Sequence, residues 1–452
     1  MKTKLVLFIK KNINILLLTS SYISIWFLFF LEKPINKLAN TLLNRPITTN
    51  ELFYGIVIIL LIITILYLYF YQKISKISLK KLLIFSIFLN LFLSLFWPIG
   101  TSDIFGYIYY GRIFSIFHES PYITVYNNFN FDQFFYFLKN IWIFHPAPYG
   151  PIFIFISSFF SLIFKNDPVL NIFFLKIFFS VINILNGYLI YKITKRKTCF
   201  YLYAFNPLVL FELAVEAHND SLLIMFILFS FLFFKKAIES LSQKEKIIKY
   251  FLSFIFFVFS ILTKFTSLIF APSLLIISMT DLKKISNKAK LLIIYFLTFF
   301  CLAFIFYKPL TNGIADIFLP IIKQSKLEGF YSPFIYIVML CILPFAKNPI
   351  ATSIFINKII FFVLSAIILL KLYFKKRPFK DTNLFNNYVL SSSIILTIFY
   401  ATFFSWILPW YFILLIVLFL LNYKEENRQS KIALYSIIFL TVYGISYYLT
   451  LR

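Results

Sequence analysis

Residues 52–81 read LFYGIVIILLIITILYLYFYQKISKISLKK. The first twenty carry no charge, and the ten that follow hold Lys73, Lys76, Lys80 and Lys81. At 1.5 Å per residue, about 20 apolar residues cover the ~30 Å hydrocarbon core of a bilayer. A cluster of lysines directly after such a run marks a turn that stays on the cytoplasmic side. An uncharged run ending in a basic turn recurs along the whole chain, and it decides the fold.

Of the 452 residues, 61% are hydrophobic and 13% charged, against roughly 25% charged in soluble proteins. So few charges do not cover a water-soluble surface of this size, so the chain is solvated by lipid. Disorder and a disulfide-stapled secreted domain are excluded by the same composition. Cys199, Cys301 and Cys341 each lie in apolar runs and read as small hydrophobes. The net charge of +26 would suit a nucleic acid partner, but its distribution does not, and no nucleic acid is expected. Twenty-nine of the 43 Lys and Arg fall in seven short segments, 1–12, 72–81, 192–197, 235–249, 281–290, 371–380 and 424–431. With 64 Phe and 9 Gly, A/T-rich codon usage is a second source of the lysine excess. Acidic residues lean the other way, among them Glu32, Asp103, Glu119, Asp132, Glu216, Asp220, Asp316 and Glu328.

Seven inner segments require about 13 crossings, with the N-terminus cytoplasmic and the C-terminus outside. The expected spans are 13–31, 52–71, 82–98, 169–191, 199–216, 220–234, 250–263, 266–280, 291–307, 353–370, 387–404, 407–423 and 432–450. The chain thus reads as an all-α, polytopic helical integral membrane protein forming one domain over 1–452. Lys2, Lys4, Lys10 and Lys11 precede the first run without a small-x-small cleavage site, so that run reads as an uncleaved span. The runs 151–164 and 333–346 break the parity and read as interfacial or re-entrant helices. Residues 99–168 and 308–352 become the two long outer loops, and chemistry is expected there.

Polar residues that hydrophobicity does not explain gather in those outer parts. Asp103 follows Trp97-Pro98-Ile99-Gly100 and suits either a helix cap or a base at the membrane surface. Tyr107, Tyr110 and Arg112 lie within reach of one helical face, as an aromatic belt or as a wall and a phosphate-matched fork. Glu212 and Glu216 are spaced i, i+4 and lead into His218-Asn219-Asp220. Ionisable groups at this depth are costly and mark function by default. Glu216, His218 and Asp220 would also serve as metal ligands, although their spacing is irregular. Lys264, between two short spans on the outer side, calls for an anion or snorkels to headgroups. His145 lies in a proline-rich turn, and Trp410-Tyr411 in a late outer turn. No phosphate-binding glycine loop, Gly-x-Ser-x-Gly, His-Glu-x-x-His or Asp-x-Asp occurs, which argues against a soluble-type nucleotide-sugar transferase.

Taken together, Ser102-Asp103, Tyr107, Gly111-Arg112, Pro121-Tyr122, Pro146-Ala147-Pro148-Tyr149-Gly150-Pro151, Asn206-Pro207, His218-Asn219-Asp220, Lys264 and Pro409-Trp410-Tyr411 form an ordered set. It resembles the C superfamily (GT-C) of polyprenyl-phosphate-sugar-dependent glycosyltransferases, closest to the bacterial α-mannosyltransferase-like branch. The resemblance is clearest over about 99–280. It implies a GT-C-like fold and inverting transfer of a hexose, mannose in this branch. Transfer would run from a polyprenyl-phosphate donor to a glycan or lipid acceptor, on the outer face of the plasma membrane. It implies Asp103 as general base. Many relatives pair two acids in the first outer loop, whereas Asp103 stands between Ser102 and Ile104, so no cofactor is required and a divalent metal stays open. Arg112 and Lys264 would face phosphate. Tyr107, Tyr149, Trp410 and Tyr411 would pack the sugar, with His145, Glu216, His218, Asn219 and Asp220 beside it. A lipid-linked-sugar flippase or transporter, or a non-catalytic assembly protein, is the alternative.

Overall fold

The computed structural model describes residues 49–137, 141–324, 332–379, 383–403, 407–423 and 428–449. Among these residues there is no strand, as the apolar patterning requires. Six of the described helices are long and apolar enough to cross a membrane: Tyr54–Tyr71, Pro168–Thr194, Asp220–Glu239, Ile285–Leu310, Pro349–Tyr373 and Leu384–Phe403. Their outward faces are apolar. Ile285–Tyr307 presents Leu292, Ile293, Phe296, Leu297, Phe300 and Phe304, a surface that only lipid covers without penalty.

The expected run 199–216 is a broken span, Lys197–Ala204 and Pro207–Val215, bent by 54°. Pro207 has no N–H to continue a helix but suits the first position of a new one. Asn206 caps that start, its Oδ1 accepting from Leu208 N at 3.0 Å and Val209 N at 3.3 Å. Its Nδ2 donates to Thr441 Oγ1 at 2.8 Å. Every residue from Cys199 to Leu223 is buried, so this broken span is the centre of the bundle.

The remaining expected spans are shorter or more polar. Run 82–98 is the helix Leu79–Leu93, and 250–263 is Gln243–Ile261. Run 266–280 begins as a 3-10 turn before Ala271–Asp281. Runs 407–423 and 432–450 are Tyr411–Leu421 and Arg428–Ser446. The expected first span, 13–31, lies outside the described residues. The two runs that broke the parity are the helices Pro151–Ile163, of 13 residues, and Pro333–Ile342, of 10. They rise only ~20 and ~15 Å, short of a ~30 Å core.

Polar side chains lie inside the bundle. Asn183 Nδ2 donates to Asn90 Oδ1 (2.8 Å), Tyr203 Oη to Asn183 Oδ1 (2.8 Å), and Ser230 and Ser253 hydroxyls meet at 3.2 Å. Such interhelical bonds substitute for the hydrophobic drive that lipid removes.

The lysine-rich turns collect at one end. Lys197 Nζ donates to Ser75 O at 2.7 Å and Ile77 O at 3.0 Å. Lys235 Nζ donates to Ile193 O at 2.6 Å, and Lys246 pairs with Asp281 at 2.7 Å. Segments 72–81, 192–197, 235–249 and 281–290 therefore share a face, while residues 99–103, 216–220 and 262–264 meet at the other.

Candidate active site

The chain enters the site at Ile99-Gly100-Thr101. Three successive backbone N–H groups there donate to the Glu216 carboxylate, at 2.9, 2.8 and 2.9 Å. Consecutive N–H groups form a natural anion cradle, so Glu216 is the clamp that fixes the turn ahead of Asp103. Below it, Lys176 Nζ, buried in the span Pro168–Thr194, donates to Phe96 O at 2.5 Å and to Val215 O. Its charge faces Glu216. Lys176 has no place in the motif set, although a lysine within an apolar span is itself a signal.

The helix Asp103–Ser115 starts at this turn. Ser102 is its N-cap and makes no side-chain cap bond. Asp103 is the first helical residue, buried, with its carboxylate turned towards His218 (Oδ2 to Nδ1 3.6 Å). The helix is not an interfacial belt, for Ile104 and Gly106 to Ile113 are buried with Asp103. It packs on Pro151–Ile163 so closely at Gly111 that a Cβ would lie 2.5 Å from the Ser157 carbonyl carbon.

Gly150 holds a second close approach. A Cβ there would lie 2.2 Å from Leu262 O, and Gly150 N donates to Thr263 O at 2.9 Å. This backbone contact carries Tyr149 and Lys264 into one site. Gly150→Ala is expected to force the two segments apart and to cost roughly 1–3 kcal/mol. A lowered unfolding midpoint of the purified protein, with lost transfer, checks it.

Most of the expected site residues converge. His218 follows a π-helical turn at Phe211–Val215 and Ala217 at φ 59, a departure from regular helix of the kind that clusters at functional sites. The imidazole stacks on Trp410 at 3.8 Å between centroids. Its Nδ1 lies 3.4 Å from Tyr107 Oη, and its Nε2 lies 3.2 Å from Glu212 Oε2. Burial, then the Lys264 charge, lowers its pKa well below the usual value. Asp220 pairs with Lys264 at 3.0 Å, and Lys264 lies 4.5 Å from the Tyr411 ring centroid. Tyr149 meets Tyr107 edge-on at 5.3 Å. The backbone N–H of Asn219 donates to Tyr107 Oη at 3.4 Å, while both polar ends of its buried side chain have no hydrogen-bond partner among the described residues. Asp103, which lies outside the spanning helices, is raised to about 7 by burial; Lys264 opposes that shift and Asp220 and Glu216 add to it.

Two expected site residues lie apart. Arg112 makes a bidentate pair with Asp132 at 2.6 and 2.7 Å, donates to Lys165 O at 2.8 Å and lies 3.7 Å from the Phe134 ring centroid. Nine residues along the helix from Asp103, it anchors the outer loop and does not enter the cluster. His145 sits one layer out, edge-on to Trp142 at 6.0 Å, and the Trp142 indole faces the Asp103 carboxylate. Glu216, His218 and Asp220 do not form a metal site, because Glu216 turns to the backbone cradle and Asp220 to Lys264. Among the described residues no group of three His, Cys, Asp or Glu is placed to hold a metal ion. Trp142 and Tyr448, whose hydroxyl donates to Glu212 Oε1 at 2.8 Å, carry no motif and emerge only from the fold.

Residues 22–280 match the family described as alpha-(1->6)-mannopyranosyltransferase, N-terminal domain. No curated protein and no solved structure matches the chain. The matched stretch is more than half of the 452 residues and contains Asp103, Tyr107, Tyr149, Glu212, His218, Asp220 and Lys264. The chain, a multi-pass membrane protein and a mannosyltransferase, belongs to the alpha-(1->6)-mannopyranosyltransferase family.

Proposed function

We propose that the protein transfers mannose from a polyprenyl-phosphate carrier to a hydroxyl of a glycan or lipid acceptor, inverting the anomeric centre. Asp103 is the general base, and the site opens to the non-cytoplasmic face of the plasma membrane. The observation that carries this is the buried carboxylate of Asp103 beside the Lys264–Asp220 pair and the aromatic cluster of Tyr107, Tyr149, Trp410 and Tyr411. An acceptor oxygen attacks the anomeric carbon as Asp103 takes its proton. The bond from that carbon to the carrier phosphate breaks, and the electron pair leaves with the phosphate. A phosphate leaving group needs charge stabilisation, which the Lys264 ammonium supplies. Inversion gives an alpha-linked product only from a beta-linked donor, and a (1->6) linkage makes the acceptor group a primary hydroxyl.

The carrier is supported by an apolar groove of about 540 Å³ on the bundle, whose walls include Ile261, Leu268, Leu292, Phe296 and Phe300. Ile261 and Leu268 flank Lys264 in the chain, so a prenyl tail in the groove would bring its phosphate towards that lysine. The unpartnered Asn219 amide suits sugar hydroxyls. The outer face is supported by the separation of this site from the lysine-rich end.

The test uses purified protein in proteoliposomes, radiolabelled polyprenyl-phosphate mannose and an acceptor extract. Labelled glycan or lipid is expected from this donor and none from nucleotide-linked mannose. Label that crosses the bilayer without a new bond makes the protein a flippase instead, and product from nucleotide-linked mannose alone overturns the carrier.

A further inference from the structure

The buried charges around the site do not balance in pairs. Glu216 is satisfied by three backbone N–H groups and faces Lys176, and Asp220 is paired with Lys264. That leaves Asp103 and Glu212, which form no ion pair with a Lys or Arg among the described residues and have one imidazole, His218, between them. Two uncompensated carboxylates at this depth would each cost several kcal/mol. A proton taken up during the reaction and shared along Asp103, His218 and Glu212 relieves one of the two.

The atoms are set out for such sharing. His218 Nε2 lies 3.2 Å from Glu212 Oε2, within ion-pair reach but without hydrogen-bond geometry, and the relay places the hydrogen of the neutral ring on this nitrogen, facing that carboxylate. Nδ1 is then an acceptor, and it faces Tyr107 Oη at 3.4 Å and Asp103 Oδ2 at 3.6 Å. The second distance is slightly beyond a hydrogen bond, and the relay requires it to shorten when substrate binds. Tyr448 Oη holds the far oxygen of Glu212 at 2.8 Å, and Trp410 holds the ring plane by stacking. Nearby are Thr101, whose Oγ1 is 3.5 Å from Nε2, and Asn219, whose backbone N–H meets Tyr107; Lys264 faces both Asp103 and His218, and Asp220, Glu216 and the Trp142 indole also face Asp103.

We propose that Glu212 is a proton-relay and positioning residue that acts through His218 to clear the proton from Asp103. This rests on Asp103 as general base. The acceptor O–H gives its proton to Asp103 Oδ2 as the new glycosidic bond forms. Asp103 passes a proton to His218 Nδ1, and His218 Nε2 releases its own to Glu212 Oε2. Asp103 is again a carboxylate, the imidazole is neutral in its other tautomer, and Glu212 is a carboxylic acid. The proton stays away from the new bond until product leaves; the path then reverses and Asp103 gives it to water.

Glu212→Gln is the informative change, since its amide oxygen keeps the place of the carboxylate beside Nε2 but takes no proton. In the full-length protein with radiolabelled polyprenyl-phosphate mannose, kcat is expected to fall roughly a hundredfold with KM unchanged, the lower end of what proton transfer contributes. Glu212→Asp should recover part of that loss. A readout without turnover is the infrared carboxyl band that Asp103→Asn removes. Its titration midpoint should move to lower pH in Glu212→Gln, because a negative charge near Asp103 has gone. Wild-type kcat or an unmoved midpoint in Glu212→Gln overturns the relay. If Asp103→Asn keeps transferring mannose, the general-base assignment itself falls; if it is inactive while Glu212→Gln behaves as wild type, only the relay falls.

Discussion

Asp103→Asn is expected to abolish mannosyl transfer while leaving the protein folded in membranes. General-base catalysis contributes about 10²–10⁴ in rate, and an amide of the same shape accepts no proton. Folding should survive because Asp103 forms no ion pair with a Lys or Arg among the described residues, so replacing it with a neutral group removes a buried charge without stranding a partner. The helix start is also safe, since its N-cap is Ser102, which an Asp103 substitution leaves in place. The pH dependence follows with a definite sign. Burial raises Asp103 to about 7, and the base works as the carboxylate. Transfer should therefore rise with pH through about 7 and fall below it. The residual rate of Asp103→Asn should lack that limb. A pH profile of kcat/KM for both proteins checks this, and substantial activity in Asp103→Asn at neutral pH would remove Asp103 from the mechanism.

Much of this architecture is legible from local patterning, because crossing a bilayer imposes it on each segment separately. The run 52–71 and its lysine turn announce a span without knowledge of any other residue. The convergence of Asp103, His218, Asp220 and Lys264 is partly legible too, since all are costly near lipid. What escapes local reading depends on backbone geometry or on distant partners. The i, i+4 spacing of Glu212 and Glu216 suggests one helical face. Their different partners do not follow from it: Glu216 reaches Ile99-Gly100-Thr101 and Glu212 reaches His218 and Tyr448. Arg112 looked suited to phosphate from its chemistry alone. Its fork is taken by Asp132, a partner that only the folding-back of the outer loop reveals. Tyr448 is separated from Glu212 by 236 residues, beyond the reach of any periodicity.

Lys264 separates two roles that one substitution would confuse. Its ammonium lies between the Asp220 carboxylate and the Tyr411 ring, so Lys264→Met both removes the cation assigned to the leaving phosphate and strands Asp220. Breaking one partner of a buried pair costs roughly 3–5 kcal/mol, whereas neutralising both is often without cost. Lys264→Met alone should thus be unstable and inactive. The double variant Lys264→Met, Asp220→Asn should recover the unfolding midpoint, since no unpaired charge remains at the start of the helix Asp220–Glu239. It should still fall short of wild-type transfer by about 10²–10³, the effect of removing one donor to a developing oxyanion. Stability restored with activity still lost separates phosphate stabilisation from scaffolding. Stability and activity restored together would reduce Lys264 to a structural counter-ion of Asp220 and leave the departing phosphate without a cation from this pair. The measurement is a melting curve and an initial rate on the same three preparations. It discriminates because the two roles share one atom, Lys264 Nζ, but only one of them requires its charge after Asp220 has been neutralised.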